Sequence, residues 1–451
     1  MVNEKISFEQ TNQFGKLFLD YIGNQPKLEP FFSLYPCIEN FEEQIKRKSN
    51  FSEKQRIILN EVLNEQYQGL ENSPQSNIDA LLDAKTFTVT TGHQLNIFTG
   101  PLYFIYKIVT VLNLAKELKA KYPNYNFVPV YWMATEDHDF EEISYFRLFG
   151  KKHTWQHPNP KGAVGRLSCE GLERILEEIP EIPEIFRKAY TESETLTEAT
   201  RSFVNALFGK DGLVILDADH PKLKAILSDV IKDDLIKHST KKLVNETDQK
   251  LENLHYTTQI FARDSNFFYL EGNIRERIEK QGDKYQVLNT EISFTEKELL
   301  SLIEKSPEKF SPNVVLRPLY EERILPNLAY IGGPAEVVYW LQLKEMFAYY
   351  HTEFPMLIPR NFALVVPKSI NKKMGKLQLS NTAIFKETHQ LKNQFLHNNS
   401  ENDLTLTEEK IALEIVFASI IAKAEQVDKS LEGFIGAEKT KALKSLNNIE
   451  K

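Results

Sequence analysis

The sequence predicts an α/β protein: a parallel sheet core with helical connecting insertions, followed by a C-terminal α-helical coiled coil. Three observations lead there. Residues 85–91 (KTFTVTT) and 127–134 (FVPVYWMA) are strand-length runs that bracket a glycine loop and an amphipathic stretch from Pro101 to Lys121, which is the order of a βαβ unit. The strand–glycine–helix join recurs where residues 325–331 run into Gly332-Gly333-Pro334 and a helical stretch over 335–351. From Leu413 onward, apolar residues recur at 4,3 spacing. A chain of 451 residues is also too long for one ordinary core. The expected organisation is an N-terminal helical segment (1–84), the first half of the core (85–150), an insertion or connecting region (151–310), the second half of the core (311–367) and a helical coiled-coil region (368–451).

Each element has its own justification. Residues 52–70 carry Ile57, Ile58, Leu59, Val62 and Leu63 among charges, close to helical period. In the stretch 101–121, Leu102, Ile105, Tyr106, Val109 and Leu112 form an apolar face, with Lys107, Thr110, Asn113 and Glu117 as the polar stripe. The uninterrupted run 127–134 suits a central parallel strand buried on both faces. Helical stretches around 171–208 and 222–255 flank one apolar strand, 213–217 (LVILD). Pro334 suits a first helical position, and 356–366 (MLIPRNFALVV) reads as a further buried strand. The terminal seam is Leu413, Phe417, Ile420, Ala424, Val427, Leu431 and Phe434, about three heptads, with no return helix in view before Lys451.

Composition excludes several classes. The 29 Phe, 18 Tyr and 3 Trp can fill large interiors, which argues against general disorder. A net charge of −8 makes non-specific nucleic-acid binding unfavourable, since phosphate contacts need clustered Lys and Arg. Two cysteines, Cys37 and Cys169, build neither a disulfide framework nor a Cys-rich zinc site. The start MVNEKISFEQ has no signal-peptide core, and no apolar run reaches the ~20 residues of a membrane span. The expectation is a cytoplasmic protein in a reducing compartment, with no nucleic-acid or membrane partner.

Three motifs could carry chemistry. In Thr91-Gly92-His93-Gln94 and Thr99-Gly100-Pro101, glycines let the backbone approach a ligand, and the helix that follows offers free N–H groups to an anion. His93 could donate to a phosphate or carboxylate, and Lys107 lies about two turns into that helix. The spacing is neither the dinucleotide nor the phosphate-loop fingerprint, so a plain strand–helix turn is an equal alternative. Thr135-Glu136-Asp137-His138-Asp139 follows a strand's carboxyl end, where open α/β sheets bind ligands. One of its ionisable groups could deprotonate an attacking amine, or the group could hold a divalent metal; the bland alternative is a solvated capping loop. Asn313, Arg317, Gly332, Gly333 and Glu336 lie in the third motif, a second glycine loop at a helix start. Arg317 and Arg360 each need a partner, from protein or ligand. Glu336 in a first helical turn either serves a site or answers the helix dipole.

The remaining signals are weaker. Asp217-Ala218-Asp219-His220 ends a strand and reads as a helix cap. Lys373-Met374-Gly375-Lys376 resembles the KMSKS loop of class I nucleotidyl transferases only faintly and reads better as solvated surface. Cys37 and Cys169 lack the neighbours a nucleophile needs.

The segments TTGHQLNIFTGPLYFIYK, VPVYWMATEDHDFEE, FSPNVVLRPLYEERILPNLAYIGGPAEVVYWLQLK and PMLIPR occur in that order between residues 85 and 365. Together they resemble the bacillithiol biosynthesis cysteine-adding enzymes, the BshC family. The resemblance implies a Rossmann-like core interrupted by connecting-peptide insertions, as in class I aminoacyl-tRNA synthetase relatives. It implies a coiled coil that mediates a homodimer. It also implies a ligase that joins cysteine to the amine of glucosaminyl-malate, with a nucleotide-binding site (ATP or ADP) associated and no metal firmly implied. The family extends past this chain's last residue, so the chain is expected to be truncated, without the nucleotide contacts of that segment.

Carried over by motif, Gly92, His93, Gln94, Gly100, Pro101 and Lys107 would line a substrate pocket in the core. Glu136, Asp137, His138 and Asp139 would face it as the catalytic block. Asn313, Arg317, Gly332, Gly333 and Glu336 would close the other side, with Arg360 and Asn361 near the nucleotide. Two alternatives remain open on the residues alone. One is a metal-dependent hydrolase using His93, Asp137, His138 and Asp139. The other is a non-catalytic, dimeric, nucleotide-binding scaffold.

Overall fold

In the computed structural model, which describes residues 4–399 and 406–450, the first β-rich run forms β1 (Thr86–His93). It runs through Gly92 to His93, past the stop predicted at the glycine, because Gly92 and His93 pair with Trp132 and Met133 of β2 (Asn126–Met133). Between them lies helix α1 (Tyr103–Lys121). Its buried face is Phe104, Ile108, Val111, Leu112, Ala115 and Leu118, and it also carries Lys107 and Thr110 inward. The apolar face expected from 102, 105, 106 and 109 is therefore rotated. The physical reason is that Lys107 and Thr110 find polar partners in the core: the Gly92 carbonyl takes the Lys107 ammonium and the Thr110 hydroxyl accepts from the Asn361 N–H.

Val214–Asp217 (β3) comes from the stretch expected as a connecting region, yet it pairs with β2, Met133 opposite Asp217. Helix α2 (Arg317–Ile324), strand β4 (Asn327–Gly332), helix α3 (Pro334–Leu341) and strand β5 (Met356–Pro359) complete the core. β5 is shorter than the predicted 356–366, because its partner β4 ends at Gly332, opposite Pro359. The helical stretch predicted over 335–351 breaks into α3 and Lys344–Tyr349. The sheet order is β3-β2-β1-β4-β5, all parallel. This is the doubly wound arrangement of Rossmann-like folds, with the strand order reversing between β1 and β4.

β1 is buried along its length yet carries Thr86, Thr88, Thr90 and Thr91. Buried hydroxyls need partners. Thr88 and Thr90 donate to Asn327 Oδ1 (3.2 and 2.9 Å), and Thr91 donates to the Ile331 carbonyl (2.8 Å). Asn327 Nδ2 in turn donates to Glu322 (2.6 Å), which is held by Lys48 (2.8 Å). The polar network thus bonds β1 to β4 through side chains as well as through the ladder.

A second five-stranded sheet, antiparallel, is formed by Phe310–Pro312, Phe267–Glu271, Ile274–Gln281, Lys284–Val287 and Ser293–Thr295 in that order. The sequence reading does not contain it. Ile274–Gln281 (IRERIEKQ) is charged and only half-buried, so its alternation is weak; the hairpins turn at Gly272 and Gly282, both with positive φ.

The chain divides into two units, residues 14–364 and residues 1–13 with 365–451. In the second unit the predicted seam is not one helix. It is cut at residues 426–430 into α4 (Thr407–Glu425) and α5 (Leu431–Glu450). A return helix is therefore present within the chain, contrary to expectation, and Lys439 of α5 reaches back to Glu414 of α4 (3.4 Å). Asp428 accepts from the Ser430 N–H and so stabilises the turn that breaks the heptads.

Asn327→Leu removes the acceptor of two threonines and the donor to a buried carboxylate. Such a loss costs about 2 kcal/mol or more, so its urea midpoint should fall well below that of an exposed control such as Asn113→Leu.

Candidate active site

All five parallel strands end at one edge, and the register makes that edge flush. Gly92 lies opposite Trp132, Met133 opposite Asp217, and Gly332 opposite Pro359. The two predicted glycine turns and the acidic stretch all follow these ends, at the switch point where an α/β sheet opens a crevice.

Glu336 is the hub of the switch point. It accepts from the Gly333 N–H (2.8 Å) and the Tyr330 hydroxyl (2.6 Å), and it pairs with Lys107 (2.5 Å), whose ammonium also donates to the Gly92 carbonyl (2.8 Å). Burial would raise the Glu336 carboxyl, but Lys107, Tyr330 and the Gly333 N–H outweigh it and hold the group below its ordinary value. Burial pulls the Lys107 ammonium down. Glu336 is thus tied to several partners and does more than answer the dipole of α3. Gly92 sits tightly here: a Cβ would stand 3.1 Å from the Tyr330 hydroxyl, which would have to shift by a few tenths of an ångström.

Buried nitrogens near this hub without a hydrogen-bond partner among the described residues include His93 Nε2, Arg360 Nε and Trp340 Nε1. The His93 ring lies against Tyr103 and Phe104. Burial, then Lys107, pushes its pKa down to about 3. The Arg360 guanidinium sits 5.1 Å from the Tyr103 ring and 4.2 Å from the Phe362 ring. Unpaired buried polar atoms are rare in folded proteins and mark places where a ligand group can bond. Arg317, in contrast, is committed inside the protein. It donates to Glu321 (2.7 Å) and the Tyr339 hydroxyl (3.2 Å), and the rings of Trp132, Tyr330 and Trp340 surround it.

The acidic stretch lies along the β2 and β3 ends. Gln94, next to His93, donates to both Asp137 (2.7 Å) and Glu142 (2.8 Å). Burial would raise the Asp137 carboxyl; the His138 backbone N–H (2.7 Å), the Gln94 amide and the charge of Arg275 hold it well below the carboxylate range. Glu136 is raised by burial, against the pull of its partner Lys224. Tyr103 joins the two halves. Its hydroxyl is raised first by burial and then by Glu142 on one side and Glu336 on the other.

The other predicted residues have local roles. Asp139 caps the short helix Phe140–Ile143, accepting from the Glu142 N–H. Asn313 is bonded to Asn266 and to the backbone leading into α2. Gly100 has φ +58°, and a Cβ there would collide with Asn96; the preceding Phe98 and Thr99 also have positive φ. Pro101 follows this strained turn. Asn361 donates its N–H to Thr110. The hydrolase quartet does not assemble: His93 is packed among aromatic rings and Asp139 is a cap. No three His, Cys, Asp or Glu side chains among the described residues converge as metal ligands.

Several site residues are absent from the sequence reading. Lys224 pairs with Glu136 and donates to the Phe310 carbonyl (2.8 Å). Arg166 grips Asp219 with two bonds (2.8 and 3.0 Å). Asp217 accepts from Thr135 (2.5 Å), so only His220 of that tetrad acts as the expected cap. Tyr330 was within reach, since it stands two residues before Gly332 in a motif already singled out. Lys224, Arg166 and Arg275 carry no local signal, because each is brought in by tertiary packing.

Comparison with known proteins decides the family. A sequence model described as "Bacillithiol biosynthesis BshC, N-terminal Rossmann-like domain" matches residues 1–361, and one for its C-terminal coiled-coil domain matches 363–451. The chain belongs to the BshC family of bacillithiol biosynthesis. It is 45% identical to a protein of Flavobacterium johnsoniae over 464 aligned positions, covering 100% of this chain and 87% of that one. It is 44% identical to a protein of Christiangramia forsetii, covering 99% and 86%. A protein of Bacillus cytotoxicus is 27% identical over 96% of this chain and 85% of its own length. All three bear the name "Putative cysteine ligase BshC". BshC membership agrees with the Rossmann-like sheet and the terminal helix pair. No helix among the described residues is long and apolar enough to cross a membrane.

The buried His93 gives this BshC chain an acid-sensitive core. The unfolded chain protonates near the ordinary 6.5, whereas the folded chain resists until about 3. Between these values the unfolded state binds more protons. The neutral ring's stability is therefore complete above pH 6.5 and is lost as pH falls, by about 1.4 kcal/mol per pH unit at most. His93→Gln should flatten this loss. Urea unfolding at pH 7, 5.5 and 4.5 should show the gap between wild type and variant changing with pH; a constant gap would show that His93 is not held neutral.

Proposed function

We propose that this chain is a cysteine ligase that joins the carboxyl of cysteine to the amine of glucosaminyl-malate, the last step of bacillithiol formation. The observation that carries the reading is the meeting, at one sheet edge, of a half with unpaired nitrogens (His93, Arg360) and an acidic half (Gln94, Asp137, Glu142). Family membership supports it.

Amide formation makes a C–N bond, breaks the C–O bond to an activating group and releases a proton from the attacking ammonium. The first half suits the activating phosphate, with Arg360 and Asn361 as the residues to hold an ATP- or ADP-type nucleotide, whose chemistry is to supply that leaving group. Asp137, ionised at any working pH, suits a substrate ammonium. Glu136, raised by burial, is better matched to receiving a proton. Arg317, already committed to Glu321, shapes the wall and leaves the anion to Arg360.

Asp137→Asn keeps the shape and removes the charge. Expressed in a bacillithiol-producing strain that lacks its own enzyme, it should lower bacillithiol about 100-fold; unchanged levels would remove the acidic stretch from the reaction.

The chain is further proposed to form a homodimer through α4 and α5. Support comes from Ile411, Ile415, Val416 and Ile420, which stay exposed after α4 packs on α5. Apolar stripes of this kind mark interfaces. An Ile415→Glu, Ile420→Glu double variant should run as a monomer in light scattering where the parent runs as a dimer.

A further inference from the structure

Arg275 lies on Ile274–Gln281 of the antiparallel sheet, paired with Leu270 and far in sequence from the acidic stretch, yet it reaches that stretch. Its Nη1 is 2.7 Å from His138 Nδ1. Its Nε donates to Ser311 (3.3 Å), and its guanidinium carbon is 4.1 Å from the Phe268 ring centroid. Phe268 also faces the His138 ring, centroid to centroid 5.7 Å. The guanidinium is thus held from two sides by the second sheet, by Ser311 and by Phe268, before it meets the histidine. Its charge faces Glu136, Asp137 and Asp219.

Chemistry settles the direction of the contact. A guanidinium has only donors. Nδ1 of His138 must therefore present its lone pair, and the ring's own hydrogen sits on Nε2. The other neighbour, Asp137 Oδ1, is 3.6 Å from Nδ1, beyond hydrogen-bond range. His138 Nε2 has no partner among the described residues, and the side chain is 54% exposed, so its N–H is free to meet a substrate.

We propose that Arg275 is a positioning residue that fixes His138 in the tautomer with its hydrogen on Nε2, so that His138 serves the reaction as a hydrogen-bond donor and not as the base. This rests on the ligase reading only for what the donor meets: the carbonyl or phosphate oxygen on which negative charge gathers as the amine adds. The second sheet is then a wall of the active site, anchored there by Arg275 and by the bond from Lys224 to the Phe310 carbonyl.

The test uses the whole chain with 15N-labelled histidine, with His138→Gln to assign the His138 signals. The expected wild-type spectrum shows a protonated Nε2 and an unprotonated Nδ1. Arg275→Met should give a mixture of tautomers, while Arg275→Lys, which still donates, should keep most of the Nε2–H form. In the complemented strain, Arg275→Met should lower bacillithiol on the order of 10-fold or more, with partial recovery in Arg275→Lys. His138→Gln, whose amide still donates, should retain more activity than His138→Ala. A wild-type ring protonated on Nδ1 overturns the proposal, and this reading stands even where Arg275→Met fails to fold. Unchanged tautomers in a folded Arg275→Met variant overturn it too, as does His138→Gln no better than His138→Ala. The tautomer is read without substrate, so failure of the ligase assignment leaves that result intact and is recognised separately, by wild-type protein that makes no bacillithiol.

Discussion

A half-buried carboxylate ties the strand ends together at the switch point of the sheet. Glu336 takes the N–H of Gly333, the hydroxyl of Tyr330 and the ammonium of Lys107, and Lys107 passes the link on to the Gly92 carbonyl. Two strand ends, one helix start and one helix interior are thereby tied at a single point. A charge pair removed from water is costly, and breaking one side leaves the other uncompensated. The arrangement therefore persists only as a complete set, which fixes β1 against β4 at the switch point.

From this hub the site spreads along the strand ends in order. Gln94 follows His93 directly and reaches the acidic stretch at the end of β2. Thr135 then meets Asp217 at the end of β3. Opposite charges are interleaved across it: Lys224 with Glu136, Arg166 with Asp219, Arg275 beside Asp137. Most of these charges cancel within the protein. Unspent bonding capacity among the described residues here includes His93 Nε2, Arg360 Nε and the ring of His138.

Legibility in the sequence followed the range of the interaction. Strand-length runs and glycine loops located all five core strands and both turns, because burial on two faces writes itself into consecutive residues. The same reasoning missed the antiparallel sheet, whose strand Ile274–Gln281 is half-solvated and charged. It misjudged the face of α1, since Lys107 looks like a surface residue until Glu336 is placed beside it. The heptad seam was read as one helix because apolar spacing does not register the turn that Asp428 and Ser430 build at residues 426–430.

The sequence by itself determined the class of fold, the alternation of strands and helices, and the presence of polar groups after strand ends; each depends on residues close together in the chain. Only the tertiary structure decided which charges are spent and which remain free. Lys107 stood on the expected polar stripe of its helix and is spent on Glu336; Arg275, which carries no local signal, stands against His138. Whether a charged group is satisfied depends on what lies within about 3 Å of it in space, and neighbours at that range come from segments more than a hundred residues apart.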